Sequence, residues 1–287
     1  MAKKETHPTT TSQQAPAAAQ EPQEVATTTS ETYLVKPADS RTLDEMLAED
    51  AGAGMQGMGA NDFAIPFVSI LQKGSPQVSR ANAKYVKDAK PGDIYNTVTQ
   101  EAHDGAEGVL YIPCGYTKSS VEWKPRDSGG GLVAHHKEGD PFLKKCVRND
   151  RGQLVVPDSG NIIVDTAYHF GLLLHGDALP EWAVISMYST QLKKSRMWNT
   201  TMRRIMVKGP SGAFNPPSYS HQYRLTTAGE TRDTYDWFGW KIVSEGRVED
   251  IDVYKMAREF SKQVEDGNVR ISAPPQEFEG DSGEVPF

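Results

Sequence analysis

Along this chain, five runs of β-branched and aromatic residues stand between Gly, Pro and Asp. They read GVLYIPCGYTKSSVEW, NIIVDTAYHFGLLL, EWAVISMYS, HQYRLTT and TYDWFGWKIV. Such side chains pack well on a pleated surface, and the punctuating residues favour turns. At this spacing the runs predict antiparallel strands closing into a small barrel or sandwich, so the fold class expected is mainly β with accessory helices. Upstream, DFAIPFVSILQKGSPQV carries Phe63, Ile65, Phe67, Val68, Ile70 and Leu71, dense enough to begin the buried core. The stretch PRDSGGGLVAHHKEGDP, between two strand runs, reads as a long mobile loop.

Two segments break this texture with helical period. In VYKMAREFSKQVEDG, Val253, Met256, Ala257, Phe260 and Val264 share one face, with Asp252 placed to cap the helix and Gly267 to stop it. In TQLKKSRMWNTTMRRIMVKG, Leu192, Trp198, Met202, Ile205 and Met206 share an arc at about 100° per residue. Lys193, Lys194, Arg196, Arg203, Arg204 and Lys208 fill the rest. One face packs and the other is positive.

Residues 1–60 are rich in Thr, Ala, Gln, Pro and Glu, and their few aromatics bury too little apolar surface to offset the entropy of ordering. A disordered arm is expected there, holding one short helical stretch, RTLDEMLAED, with Leu43, Met46 and Leu47 on one side. Residues 61–267 then form the folded domain. Residues 268–287 form a flexible acidic tail, entered through the paired prolines of ISAPPQ.

The net charge of −7 argues at first against a phosphate-binding protein. Its distribution argues otherwise. From Trp182 to Gly229 there are seven Lys or Arg residues and no Asp or Glu, whereas from Ser244 onward eleven acidic residues face five basic ones. A helix with one uniformly positive face fits an anionic membrane, an acidic protein groove or a nucleic-acid backbone.

Aromatic residues weigh toward the last of these. Single-strand binding needs flat side chains for unstacked bases beside a positive track for phosphates. Trp123 stands beside Lys124 and Arg126 in VEWKPR, Trp198 follows the basic run, and Tyr116, Tyr168, Phe170, Tyr188 and Tyr223 lie in predicted strands. The candidate nucleic-acid-binding set is therefore Tyr116, Trp123, Lys124, Arg126, Tyr168, Phe170, Tyr188, Lys193, Lys194, Arg196, Trp198, Arg203, Arg204 and Lys208.

Other chemistries find little support. VKGPSGAF lacks the order of a nucleotide-binding Gly-Lys-Ser/Thr loop. Cys114, His135, His136 and Cys146 include no CxxC pair, and adjacent histidines point apart on a strand, so no metal site is expected. No cofactor and no enzymatic activity are expected. No window approaches the roughly 18 apolar residues of a membrane span. The N-terminal residues lack the apolar segment of a secretory signal, so the expected location is a cytoplasm.

The ending DSGEVPF resembles the C-terminal tip of bacterial single-stranded DNA-binding proteins. The resemblance implies that Phe287 enters a hydrophobic pocket on replication or recombination proteins and that its carboxylate meets a basic residue. Pro286, Val285, Glu284 and Asp281 would support the contact. IPFVSILQKGSPQV, PGDIYNTVT and GGGLVAHH are similar to segments of bacteriophage proteins, some of them single-stranded DNA binders with an OB-type barrel. That resemblance implies a five-stranded OB-type barrel with long loops, acting on single-stranded DNA in phage replication, recombination or repair in the host cytoplasm. Three further readings stay open: a strand-annealing recombination protein, a phage structural protein, and a host-takeover protein that binds no DNA. A homo-oligomer is compatible with each.

Overall fold

Two long strands, β4 (Val109–Trp123) and β8 (Ile162–Leu174), run antiparallel over nearly their whole length and form the spine of the fold. The computed structural model describes residues 41–58, 64–176 and 179–269. The chain divides between Gly54 and Met55 into two units. In the first, α1 (Leu43–Glu49) opens with a reciprocal cap: the Thr42 hydroxyl accepts from the Glu45 backbone N–H, and the Glu45 carboxylate accepts from that of Thr42. Leu43, Met46 and Leu47 are exposed on it. The second unit holds all the strands described here.

β4 is long enough to change partners along its length. Its first residues pair with β12 (His221–Arg232) and its last with β5 (Leu132–Lys137). β8 does the same: Ile162 and Ile163 pair with β7 (Leu154–Val155), itself paired with β6 (Val147–Arg148), while Thr166 to Leu173 pair with β9 (Glu181–Tyr188). β13 (Tyr235–Arg247) returns beside β12 in a long hairpin.

The result is an antiparallel sheet of eight strands that curls into a half-barrel. Closure into a five-stranded barrel is not seen: among the described residues no pairing joins β13 to β9 or to β6. A smaller antiparallel sheet is made of β1 (Val68–Ile70), β2 (Ile94–Asn96) and β3 (Ala102–His103). It meets the large sheet where the Val184 N–H donates to the Pro66 carbonyl at 2.9 Å.

The stretch read as a mobile loop contains β5, whose residues alternate half-buried and exposed. Weak intrinsic strand preference in LVAHHK is overridden by pairing with β4, as tertiary context routinely does. His136 turns inward there. Its Nε2 lies 2.8 Å from Glu122 Oε2, its Nδ1 lies 3.4 Å from Asp140 Oδ2, and its ring stacks on Phe142 at 4.4 Å.

Each face of the sheet carries a core and a helix. On one, Tyr111, Leu173, Ile185, Met187, Tyr223 and Leu225 are buried with Trp198 of α2 (Gln191–Arg204). On the other, Ile112, Tyr168, Phe170 and Leu172 are buried with Ala257 and Phe260 of α3 (Ile251–Glu265). Trp182 stacks on Phe260 at 4.8 Å. The cap of α3 is Asp250 rather than Asp252, because the Asp250 carboxylate is the group that accepts from the N–H groups of Asp252 and Val253. Gly267, at φ +73°, ends the helix as expected.

Tyr111 ties the middle of the sheet together. Its hydroxyl lies 2.8 Å from the His169 carbonyl and 3.0 Å from that of Ala183, reaching across β8 to β9. The ring passes over Gly171, where an added Cβ would lie 2.5 Å from Tyr111 Cε1 and 2.2 Å from the Ile112 carbonyl oxygen.

Candidate nucleic-acid interface

α2 begins where Ser189, at φ +50°, turns the chain out of β9. Its inner face follows from the sequence arc: Ser195 and Trp198 are buried, and Leu192 and Met202 pack against the core. The helix is shorter than that arc, however. Ile205 has extended backbone, and Met206 leads into β10 (Val207–Gly209), so Met206 stands exposed instead of packing. β10 and β11 (Gly212–Phe214) form a tight hairpin across Pro210 and Ser211.

The hairpin has a structural use. It returns Asn215 beneath the helix end, where its Nδ2 lies 3.3, 3.2 and 2.8 Å from the carbonyl oxygens of Met202, Arg203 and Ile205. Asn215 adds to the Ile205 N–H, which donates to the Met202 carbonyl at 3.2 Å, at a helix end whose last carbonyls lack intrahelical partners.

The outer face of α2 carries Lys193, Arg196, Met197, Thr200, Arg203 and Arg204, all exposed, with Lys208 exposed on the hairpin just beyond. Among the described residues, none of Lys193, Arg196, Arg203, Arg204 and Lys208 makes an ion pair. The acid-free stretch of the sequence thus becomes an acid-free face of one helix. Arg196 lies within electrostatic reach of Asp165. Burial there works to raise the Asp165 pKa, but hydrogen bonds from Lys118 and Ser120, with the charges of Lys118 and Arg196, outweigh it and hold the carboxyl below its usual range.

Lys194 departs from the expected set. It is half-buried and paired with Glu230, whose other carboxylate oxygen accepts from the Trp237 indole N–H at 2.9 Å. Its charge is spent holding α2 to the β12–β13 hairpin.

The aromatic set departs further. Trp123, Tyr168, Phe170 and Trp198 are all buried, at 6%, 1%, 3% and 2% exposure. None offers a face to a base in this structure. Sheet strands alternate between two covered faces, so rings expected to stand in solvent fill the two cores instead. Trp198 stacks on the buried His169 at 4.5 Å and meets Tyr223 edge-on at 5.5 Å. Ser195 Oγ lies 2.9 Å from His169 Nε2, and burial pushes this imidazole down to a pKa of about 3, so it is neutral. Tyr116 is exposed, edge-on to His169 at 5.1 Å, and Tyr188 is half-buried.

Lys124 is exposed but lies eight residues along β4 from Tyr116, roughly 25 Å away at strand spacing. The predicted residues therefore do not form one patch. The side chain of Arg126 and the residues Asp281, Glu284, Val285, Pro286 and Phe287 lie outside the described residues.

Of the four residues weighed for a metal, Cys146 lies against the Phe142 carbonyl near His136, and the others face different neighbours. Cys114 is buried beside the Ile112 carbonyl, and burial pushes its thiol pKa well up. His135 lies beside Tyr168, while His136 turns to Glu122. Among the described residues no three His, Cys, Asp or Glu side chains are placed to hold a metal ion. No helix among them is long and apolar enough to cross a membrane.

A separate cavity of about 770 Å³ opens where β4 bulges between Pro113 and Gly115, against the C-terminal end of α3. Its charged lining is mixed, with Lys137 and Glu265. It lacks the single-sign character of the α2 face.

Residues 9–270 match the family model of the Pam3 phage gp34-like protein. The chain belongs to this family. Comparison with curated proteins and with solved structures gave no match. An exposed ring outside the expected set is Phe214. It is 49% exposed at the end of the β10–β11 hairpin, in the run KGPSGAF, where two glycines and a proline announce a turn.

Proposed function

We propose that this gp34-like protein binds single-stranded DNA without sequence preference, in phage DNA replication, recombination or repair. The observation that carries the reading is the exposed, acid-free face of α2, with Lys193, Arg196, Arg203 and Arg204 on the helix and Lys208 just beyond. A cationic track of this kind suits a phosphate backbone, whose affinity comes from counterion release and needs no base-specific contact. The curled sheet beneath the helix gives it a rigid base, in the manner expected of an OB-type half-barrel. Burial of four of the six candidate rings makes the reading one led by the backbone. The role is binding, with no catalytic step.

The acidic segment 277–287 is proposed to recruit replication or recombination proteins and to compete for the basic face when DNA is absent. A tethered segment of opposite charge has a high effective concentration there. Deleting residues 277–287 should then tighten DNA binding at low salt, and an unchanged affinity would remove this part of the proposal.

The test of the main reading is fluorescence anisotropy of labelled oligo-dT and of a duplex of equal length, at several salt concentrations. Preference for the single strand with a salt-dependent affinity supports it. Absence of binding at low salt refutes it.

A further inference from the structure

Phe214 differs from Trp123, Tyr168, Phe170 and Trp198 in being exposed, as Tyr116 also is, and it stands at the end of α2. Its partner across the hairpin is Val207, and on the same side of the ribbon its ring lies against Gly209. A Cβ added at Gly209 would stand 2.8 Å from Phe214 Cε1 and 3.2 Å from Cδ1. One edge of the ring, at Cδ1 and Cε1, therefore abuts a residue without a side chain, and roughly half of Phe214 remains open to solvent.

Its surroundings set the partner chemistry. The next residue, Asn215, is hydrogen-bonded to the carbonyls of Met202, Arg203 and Ile205, which fixes Phe214 beside the C-terminal end of α2. Arg203 and Arg204 are exposed around that end, while Lys208 projects from the other side of the ribbon. An apolar flat ring among unpaired cations complements a ligand that is itself flat and apolar in one part and anionic in another. A single nucleic-acid strand has both parts, an unstacked base and its phosphates.

We infer that Phe214, set against Gly209, is the base-stacking platform of the α2 interface. This rests on the single-strand reading given above. It places the platform on the hairpin rather than on a strand of the large sheet, and it makes room for the ring's edge the reason for glycine at 209. The ring supplies stacking to any base, while Arg203 and Arg204 hold the flanking phosphates.

The experiment compares oligo-dT with an abasic tract of equal length and equal phosphate charge. The wild-type full chain should bind oligo-dT roughly tenfold more tightly than the abasic tract, within the range that one base–aromatic stack contributes. Phe214→Ala should bind the two probes alike, with an unchanged salt dependence. Gly209→Val, which displaces the ring but keeps it, should show the same loss. Phe214→Trp should keep the preference and add a fluorescence signal that oligo-dT quenches and the abasic tract does not. Circular dichroism of each variant checks that the fold is retained. Wild type binding both probes alike, or Phe214→Ala keeping the preference, overturns the platform while the single-strand reading stands. Failure to bind either probe at low salt overturns both.

Discussion

Neutralising the cations at the C-terminal end of α2 should change how salt acts on DNA affinity, by an amount that the structure sets. Five cations line the interface without an ion pair among the described residues: Lys193, Arg196, Arg203, Arg204 and Lys208. If each meets one phosphate of a single strand, log affinity should fall against log salt with a slope of about −3.5, at about −0.7 for each contact. Raising salt from about 50 to about 200 mM then weakens oligo-dT binding roughly 100-fold. Replacing Arg203 and Arg204 together by Gln should bring the slope to about −2.1 and the same salt step to roughly 20-fold. Lys194→Gln provides the internal control. Its ammonium is already engaged by Glu230, so the slope should not change. The assay is anisotropy of labelled oligo-dT over a salt series. A double variant with the wild-type slope, or a Lys194→Gln slope reduced by one contact, would show that α2 does not present its cations to DNA as argued.

Three further outcomes concern the scaffold. Gly171→Ala should cost about 3 kcal/mol in urea unfolding, because the new Cβ meets both the Ile112 carbonyl and a Tyr111 ring whose hydroxyl is held on β8 and β9; a loss well under 1 kcal/mol would show that the sheet relaxes there. Burial lowers the His169 pKa from 6.5 to about 3, so the unfolded chain takes up its proton first on acidification. The stability from this residue is complete above pH 6.5 and is lost as pH falls toward 3, and His169→Phe should flatten the thermal-stability profile between about pH 6 and pH 4. Asn215→Ala removes the group that caps α2 at three carbonyls and should cost about 1 kcal/mol, with faster amide hydrogen exchange over the last turn of the helix.

The strand runs were legible because their signal is local. β4, β8, β9, β12 and β13 fall on the five runs marked by β-branched and aromatic residues, and α2 and α3 on the two helical periods. β5 was not legible. LVAHHK has little strand character of its own and becomes a strand because β4 outruns β12 and leaves its last residues to be paired. The cap of α3 was misplaced by two residues, since Asp250 and Asp252 both suit a cap and only the backbone path selects one.

At the candidate interface the division follows the same line. That residues 182–229 carry positive charge with no acid is a matter of composition, and helical period alone separates most of that charge from Leu192, Trp198 and Met202. Which rings are free depends on packing between distant elements. Trp123, Tyr168, Phe170 and Trp198 look like platforms beside their basic neighbours in sequence, yet a sheet covered by α2 on one face and α3 on the other takes them all into its two cores. Likewise only folding brings Glu230 to Lys194 and Phe214 against Gly209. Charge and periodicity are properties of neighbours along the chain, whereas burial depends on which distant surface comes to lie over a residue.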